Sequence, residues 1–190
     1  MKVPVNTIRA GSVIDYKGKL WVASKVQLLN PGKGGAFVQI EAKGLLDGNK
    51  LMERFRTAET IERVHIDERE CTFLFHEAGI GYTFMDKENF EQIVVPETLM
   101  DEEQGKFLQD GMECAVSLYE GKAVGVELPK TVTLAIVEAD AVVKGQTASS
   151  SYKPALLENG VRVLVPPHIG TGTRVVINTA DSSYIERAKD

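Results

Sequence analysis

The sequence predicts an all-β protein made of three small domains. Three observations predict it. Short runs of β-branched and aromatic residues recur along the 190 residues, separated by Gly-containing turns. One segment alone carries helix signals. The charge steps sharply twice, dividing the chain into near-equal thirds. Strands this short at this spacing signal barrels or sandwiches, and each third holds enough of them for one five-stranded barrel.

The elements follow in order. Leu20-Trp21-Val22-Ala23 comes after the turn Lys17-Gly18-Lys19, and Phe37-Val38-Gln39-Ile40-Glu41 after Gly34-Gly35. Leu46-Asp47-Gly48-Asn49-Lys50 reads as a hairpin turn with Asp-Gly at its centre. Thr72–Phe75 and Tyr82–Met85 flank Ala78-Gly79-Ile80-Gly81, and Glu113–Leu118 and Ala123–Leu128 flank Glu120-Gly121-Lys122. Val132, Leu134 and Ile136 alternate with Thr133, Ala135 and Val137, and Val161, Val163 and Val165 alternate around Arg162 and Leu164. Arg174-Val175-Val176-Ile177 follows Gly170-Thr171-Gly172-Thr173. The exception is Pro96 to Gly111, where Leu99, Met100, Phe107 and Leu108 lie among Glu, Asp, Gln and Lys. Pro near the start and Gly at the end predict a short rim helix there. Ser149-Ser150-Ser151 reads as a loop.

The boundaries fall at 64/65 and 128/129, giving domains 1–64, 65–128 and 129–190. The net charge of −5 resolves into +5, −11 and +1 over these thirds. A basic module joined to an acidic one can meet phosphates at one end and avoid them in the middle, although acidic surface is also a plain solubility device. An apolar share of 43% excludes a disordered or fibrous chain. No apolar run approaches the ~18 residues of a membrane span, and Met1–Thr7 lacks the core of a secretory signal. Cys71 and Cys114, far apart in sequence, read as reduced, buried thiols of a cytoplasmic protein.

Enzyme chemistry finds little support. His65, His76 and His168 are scattered, no zinc-ligand spacing exists, and there is no G-x-S-x-G elbow. Gly32-Lys33 imitates a phosphate-binding P-loop, but Gly34 stands where Ser or Thr is required and a strand follows instead of a helix. The same loop has another feature. In Asn30-Pro31-Gly32-Lys33-Gly34-Gly35-Ala36, Pro31 stiffens the approach and Gly32, Gly34 and Gly35 strip away neighbouring Cβ atoms. Spacing alone favours an ordinary hairpin loop with a solvated lysine. It leaves open a slim cationic tip able to enter a narrow cavity.

Asn30–Phe37, between Arg9-Ala10-Gly11 and Phe55-Arg56, resembles bacterial translation elongation factor P. So do Tyr82–Gln92 in the middle third, and Lys144–Ala148, Lys153–Gly160 and Tyr184-Ile185-Glu186-Arg187 in the last. All three thirds are covered in order. The resemblance implies an SH3-like barrel followed by two OB-fold barrels in an elongated, L-shaped, tRNA-mimicking arrangement. It implies a non-enzymatic factor that binds the ribosome beside the peptidyl-tRNA and relieves stalling at consecutive prolines.

The resemblance also implies roles for particular residues. Lys33 approaches the CCA end of the peptidyl-tRNA, supported by Pro31, Gly32, Gly34 and Gly35, and is covalently extended, for instance by β-lysylation. Gly145, Gln146 and Thr147 match a loop that contacts the exit-site codon, with Gln146 in place of the family Asp. Gln keeps hydrogen-bonding capacity and loses the negative charge. Tyr184 and Arg187 match a contact to tRNA and the small subunit, since Arg can pair with phosphate and Tyr can stack. A plain turn at 145–147, or a core Tyr beside a solvated Arg, fits the residues too. Arg9, Arg54 and Arg56 are further candidates for phosphate contact. The implied partners are both ribosomal subunits, the peptidyl-tRNA, the exit-site codon of the mRNA and a lysine-modifying enzyme, with no cofactor, metal or membrane and a monomeric state. Two rival readings are a generic OB-fold binder of single strands and an enzyme using Lys33 as base or Schiff-base donor. The first wants a basic aromatic groove, whereas the middle third is acidic. The second wants a desolvated lysine, which an exposed glycine-bordered tip does not provide.

Overall fold

In a computed structural model the described residues are 1–141 and 151–189. They run through β1 (Lys2–Pro4), a 3-10 turn at Val5–Thr7, β2 (Val13–Tyr16), β3 (Lys19–Leu29), β4 (Phe37–Gly44), β5 (Lys50–Arg56) and β6 (Thr60–Val64). Next come β7 (Asp67–Glu77), β8 (Gly81–Asp86), β9 (Gln92–Val95), α1 (Glu102–Gly105), β10 (Glu113–Tyr119) and β11 (Lys122–Glu127). The chain finishes with β12 (Thr131–Ala139), β13 (Lys153–Leu157), β14 (Arg162–Val165), β15 (Arg174–Asn178) and β16 (Ser183–Arg187). The protein is all-β, as its strand pattern predicts.

Three sheets form, ordered β1-β6-β2-β3-β4-β5, β11-β10-β7-β8-β9 and β14-β13-β12-β15-β16. The first has six strands where five were expected, because the N-terminal Lys2–Pro4 pairs with Thr60–Glu62 of β6. The chain clusters into two compact units, Met1–Arg69 with Val116–Gly125, and Glu70–Ala115 with Val126–Asp190.

Alternation builds the first core. Val38, Ile40 and Ala42 of β4 face inward with Val5, Ile8, Ile14 and Trp21, while the intervening residues face solvent. The hairpins are shaped locally. Lys17 (φ 51°) with Gly18, and Glu120 (φ 50°) with Gly121, both take the left-handed pair that a two-residue turn needs to match strand twist. At the predicted Asp47-Gly48 turn, Asp47 Oδ1 accepts the Asn49 N–H at 3.0 Å and Oδ2 receives Lys19 Nζ at 3.1 Å. These two bonds hold the Asp47 carboxyl below its usual value, the Asn49 backbone contributing most.

The expected helix over Pro96–Gly111 does not form as one piece. Glu97–Leu99 makes a 3-10 turn, Met100 is extended (φ −129°, ψ 134°), and helix restarts for only four residues in α1. Asp101 caps that restart through Oδ1 to the Glu103 N–H at 3.0 Å. Packing fixes the chain just beyond α1. Phe107, just beyond α1, is 1% exposed among Leu134, Ile136, Val163, Val165 and Ile177 of the last sheet. Asn159 Nδ2 donates to the Lys106 carbonyl at 3.1 Å, tying the same segment down. Burying one such phenylalanine contributes about 1.5–3 kcal/mol, more than a few extra helical residues would. Cys71 and Cys114 are both buried thiols, as predicted. Burial, then the neighbouring Cys71, pushes the Cys114 thiol up to about 11.

Candidate functional site

The loop carrying Lys33 is the turn of a long antiparallel ribbon. β3 and β4 pair from Trp21↔Gly44 out to Leu29↔Phe37, with a bulge between Ala23 and Lys25. β5 extends the ribbon, Arg56 lying opposite Phe37. The ribbon hands the chain to Asn30–Ala36, where residues 30–35 are all exposed. The Lys33 N–H donates to the Pro31 carbonyl at 2.9 Å, a tight three-residue turn centred on Gly32.

Glycine is required here by the backbone. Gly32, Gly34 and Gly35 adopt φ of +75°, +129° and +91°, and a Cβ on any of them would meet nothing within 4 Å. The demand is therefore conformational rather than steric, and the tip stays thin on both sides of the Lys33 side chain. At the loop's base the Thr57 N–H reaches the Ala36 carbonyl at 3.3 Å, and Arg56 closes the neighbouring turn by donating its N–H to Glu59 Oε2 at 2.5 Å.

Of the other arginines, Arg54 Nε donates to Gln39 Oε1 at 2.9 Å on the solvent face of the ribbon. Arg9 spends Nη1 on the carbonyls of Asn6 and Ile8, at 2.8 and 2.9 Å, so one edge of its guanidinium braces a local turn.

Tyr184 and Arg187 share the edge strand β16, opposite Ile177 and Val175. Tyr184 is half-buried against the core of the last sheet, and Arg187 is exposed. Burial, then Tyr152, pushes the Tyr184 hydroxyl above its usual value. Sequence reasoning missed Tyr152, whose ring meets Tyr184 edge-on at 6.4 Å. With Arg162, Leu164 and Asp181 the two tyrosines line a groove of about 490 Å³. Tyr152 follows a serine tract and carries no periodic signal. Gly145, Gln146 and Thr147, like Ser149 and Ser150, lie outside the described residues.

Among the described residues no group of three or more His, Cys, Asp or Glu side chains is placed to hold a metal ion. No helix of these residues is long and apolar enough to cross a membrane.

Comparison with known proteins accounts for the three sheets together. Residues 4–61 match the elongation factor P KOW-like domain, residues 66–126 the elongation factor P OB domain and residues 132–187 the elongation factor P C-terminal domain. Elongation factor P of Rhodospirillum centenum is 59% identical over 191 residues, covering 100% of both chains. That of Brucella suis is 53% identical, covering 99% of this chain and 100% of its own. Among solved structures, a eukaryotic translation initiation factor 5A from Methanococcus jannaschii shares the fold at a TM-score of 0.55 and 21% identity, over 68% of this chain and 92% of that one. The chain belongs to the elongation factor P family of translation elongation factors.

Proposed function

We propose that this factor binds the ribosome beside the peptidyl-tRNA and speeds peptide-bond formation where consecutive prolines stall it. Lys33 is the residue that reaches toward the CCA end. One observation carries this reading: a cationic side chain stands exposed at the end of a long β ribbon, on a tip that three glycines keep thin.

The physics of the stall explains why such a tip would help. Proline has φ fixed near −65°, so a Pro-Pro nascent chain is stiff and its ring nitrogen must approach in a restricted geometry. Holding the peptidyl-tRNA end in an attack-ready position lowers the barrier without any proton or bond handled by the factor, and alignment of this kind is worth several kcal/mol. The ribosome performs the chemistry. Covalent extension of Lys33, as by β-lysylation, would lengthen the reach and add positive charge. A lysine-modifying enzyme, tRNA and both ribosomal subunits are the partners in this account. Gly145, Gln146 and Thr147 would face the exit-site codon, and Tyr184 with Arg187 would support the tRNA.

A reconstituted translation system tests it. Adding the native factor should raise synthesis of a Pro-Pro-Pro reporter several-fold and leave a proline-free message unchanged. Equal effects on both messages, or none on either, would overturn the proposal. Peptide mass spectrometry of native protein tests the modification: added mass at Lys33 is expected, and fully active protein with an unmodified Lys33 would refute it.

A further inference from the structure

The middle sheet holds two sulfurs that the Lys33 account does not use. Cys71 of β7 is 0% exposed and Cys114 of β10 is 4% exposed, and both are reduced thiols. β7 and β10 are neighbours in that sheet.

Their register follows from two hydrogen bonds. The Phe73 N–H donates to the Met112 carbonyl at 2.8 Å, and the Gly111 N–H donates to the Phe73 carbonyl at 3.0 Å. Gly111 takes φ +81°. Two residues opposite one, the first a left-handed glycine, make a glycine-type bulge in an antiparallel pair. Beyond the bulge Phe73 lies opposite Met112, Thr72 opposite Glu113, and Cys71 opposite Cys114. Side-chain alternation agrees. Cys71 and Phe73 are buried on β7 and Cys114 on β10, whereas Thr72, Glu113 and Ala115 are not.

The two thiols therefore meet across the ladder on its inward face. Cα atoms of a hydrogen-bonded antiparallel pair stand about 5.5 Å apart. A disulfide bridges Cα separations of about 4.4–6.8 Å, so the strands need not part or shift register for the sulfurs to join.

The setting names the oxidant. Cys114 walls a groove of about 370 Å³ that Glu70, Ala115, Leu128 and Pro129 also line, which gives its sulfur one route to solvent. With so little of Cys114 exposed, a molecule near the size of water reaches it and a bulky peptide disulfide does not. Hydrogen peroxide fits that description. Burial, more than Cys71, pushes the Cys114 thiol up to about 11. The thiolate is the nucleophile, so the reaction is slow at neutral pH and the pair stays reduced until peroxide is abundant.

We propose that Cys71 and Cys114 form a peroxide-driven latch that staples β7 to β10. The Cys114 thiolate attacks one peroxide oxygen, the O–O bond breaks, and a sulfenic acid forms as hydroxide leaves and takes up a proton. The Cys71 thiolate then attacks that sulfur, forms the S–S bond and expels a second hydroxide, which is also protonated. Two thiols and one peroxide become one disulfide and two waters. The bond closes the long loop between residues 71 and 114, which favours the folded state.

Full-length protein treated with hydrogen peroxide, quenched with catalase and then unfolded tests this. Its titratable thiols should fall from two to none, and dithiothreitol should restore both. Peptide mass spectrometry should find Cys71 joined to Cys114 within one chain. The oxidised form should unfold on the order of 5 °C above the reduced one. In Cys71→Ala the second step is lost, so dimedone should trap a sulfenic acid at Cys114 that the unsubstituted protein does not accumulate. The linkage readout uses the unsubstituted protein and decides the question whether or not that variant folds. Two intact thiols, a sulfinic acid at Cys114 without the link, or bonds between separate chains would overturn the proposal. A linked form that unfolds no later than the reduced one would refute the staple.

Discussion

The hydroxyl of Tyr82 occupies the space that a side chain at position 105 would need. A Cβ on Gly105 would lie 2.3 Å from Tyr82 Oη and 2.9 Å from Cζ. Tyr82 cannot swing away, because it is 7% exposed and His76 stacks on its ring at 4.3 Å. In an exposed helix Gly→Ala is ordinarily stabilising. Here the sign reverses. Gly105→Ala should destabilise by about 1–3 kcal/mol, the usual cost of overpacking. Urea unfolding of the variant checks this, and Gly105→Ala with Tyr82→Phe should recover only part of the loss, since the ring carbons remain in the way.

The glycines of the Lys33 loop behave oppositely, since they have room and lack only conformational alternatives. Gly34→Ala would be strained at φ +129° by about 1–2 kcal/mol. An exposed loop escapes that strain by refolding locally. Global stability should therefore move by less than about 0.5 kcal/mol, as for a surface site. Stimulation of the Pro-Pro-Pro reporter should fall several-fold although Lys33 is intact. Full stimulation by Gly34→Ala would show that the shape of the loop is irrelevant.

One contribution to acid sensitivity should come from a pair beside the middle sheet. His76 Nε2 and Glu97 Oε1 lie 2.6 Å apart, and the Gly79 N–H reaches the same oxygen at 3.2 Å. The His76 hydrogen bond, and then that of Gly79, hold the Glu97 carboxyl below its ordinary 4.5. A depressed carboxylate adds stability that is complete above the unfolded value and disappears as pH falls through the folded one. Glu97→Gln should therefore unfold more readily than the unsubstituted protein at pH 6. The two should converge as pH drops below 4.5. A constant difference across that range would remove the pair as the cause.

Much of this was legible in the residues. A β-rich run after Gly34-Gly35 identified β4, alternation identified β12 and the Val161–Val165 segment, and Asp47-Gly48 identified its hairpin, because all these signals are local. The helix over Pro96–Gly111 was not legible correctly. Its apolar residues do have helical spacing, but Phe107 serves the core of a sheet that begins more than twenty residues later. β1 and β9, three and four residues long, are too short to show a period. Of the candidate site, the glycine-bordered loop could be read directly, since its φ values follow from residue type. Neither Tyr152 beside Tyr184 nor Cys71 opposite Cys114 could be. Both depend on ring contacts or strand register that only the assembled sheets create.

The most direct test is the rate of Pro-Pro-Pro synthesis with Lys33→Ala in place of the native factor, in the reconstituted system. Thermal and urea unfolding should differ from the native protein by no more than about 0.5 kcal/mol, since residue 33 touches no core. Stimulation of the proline reporter should nevertheless drop to near the level seen without the factor, with a proline-free message untouched. Undiminished stimulation by a well-folded Lys33→Ala protein would contradict the account at its centre.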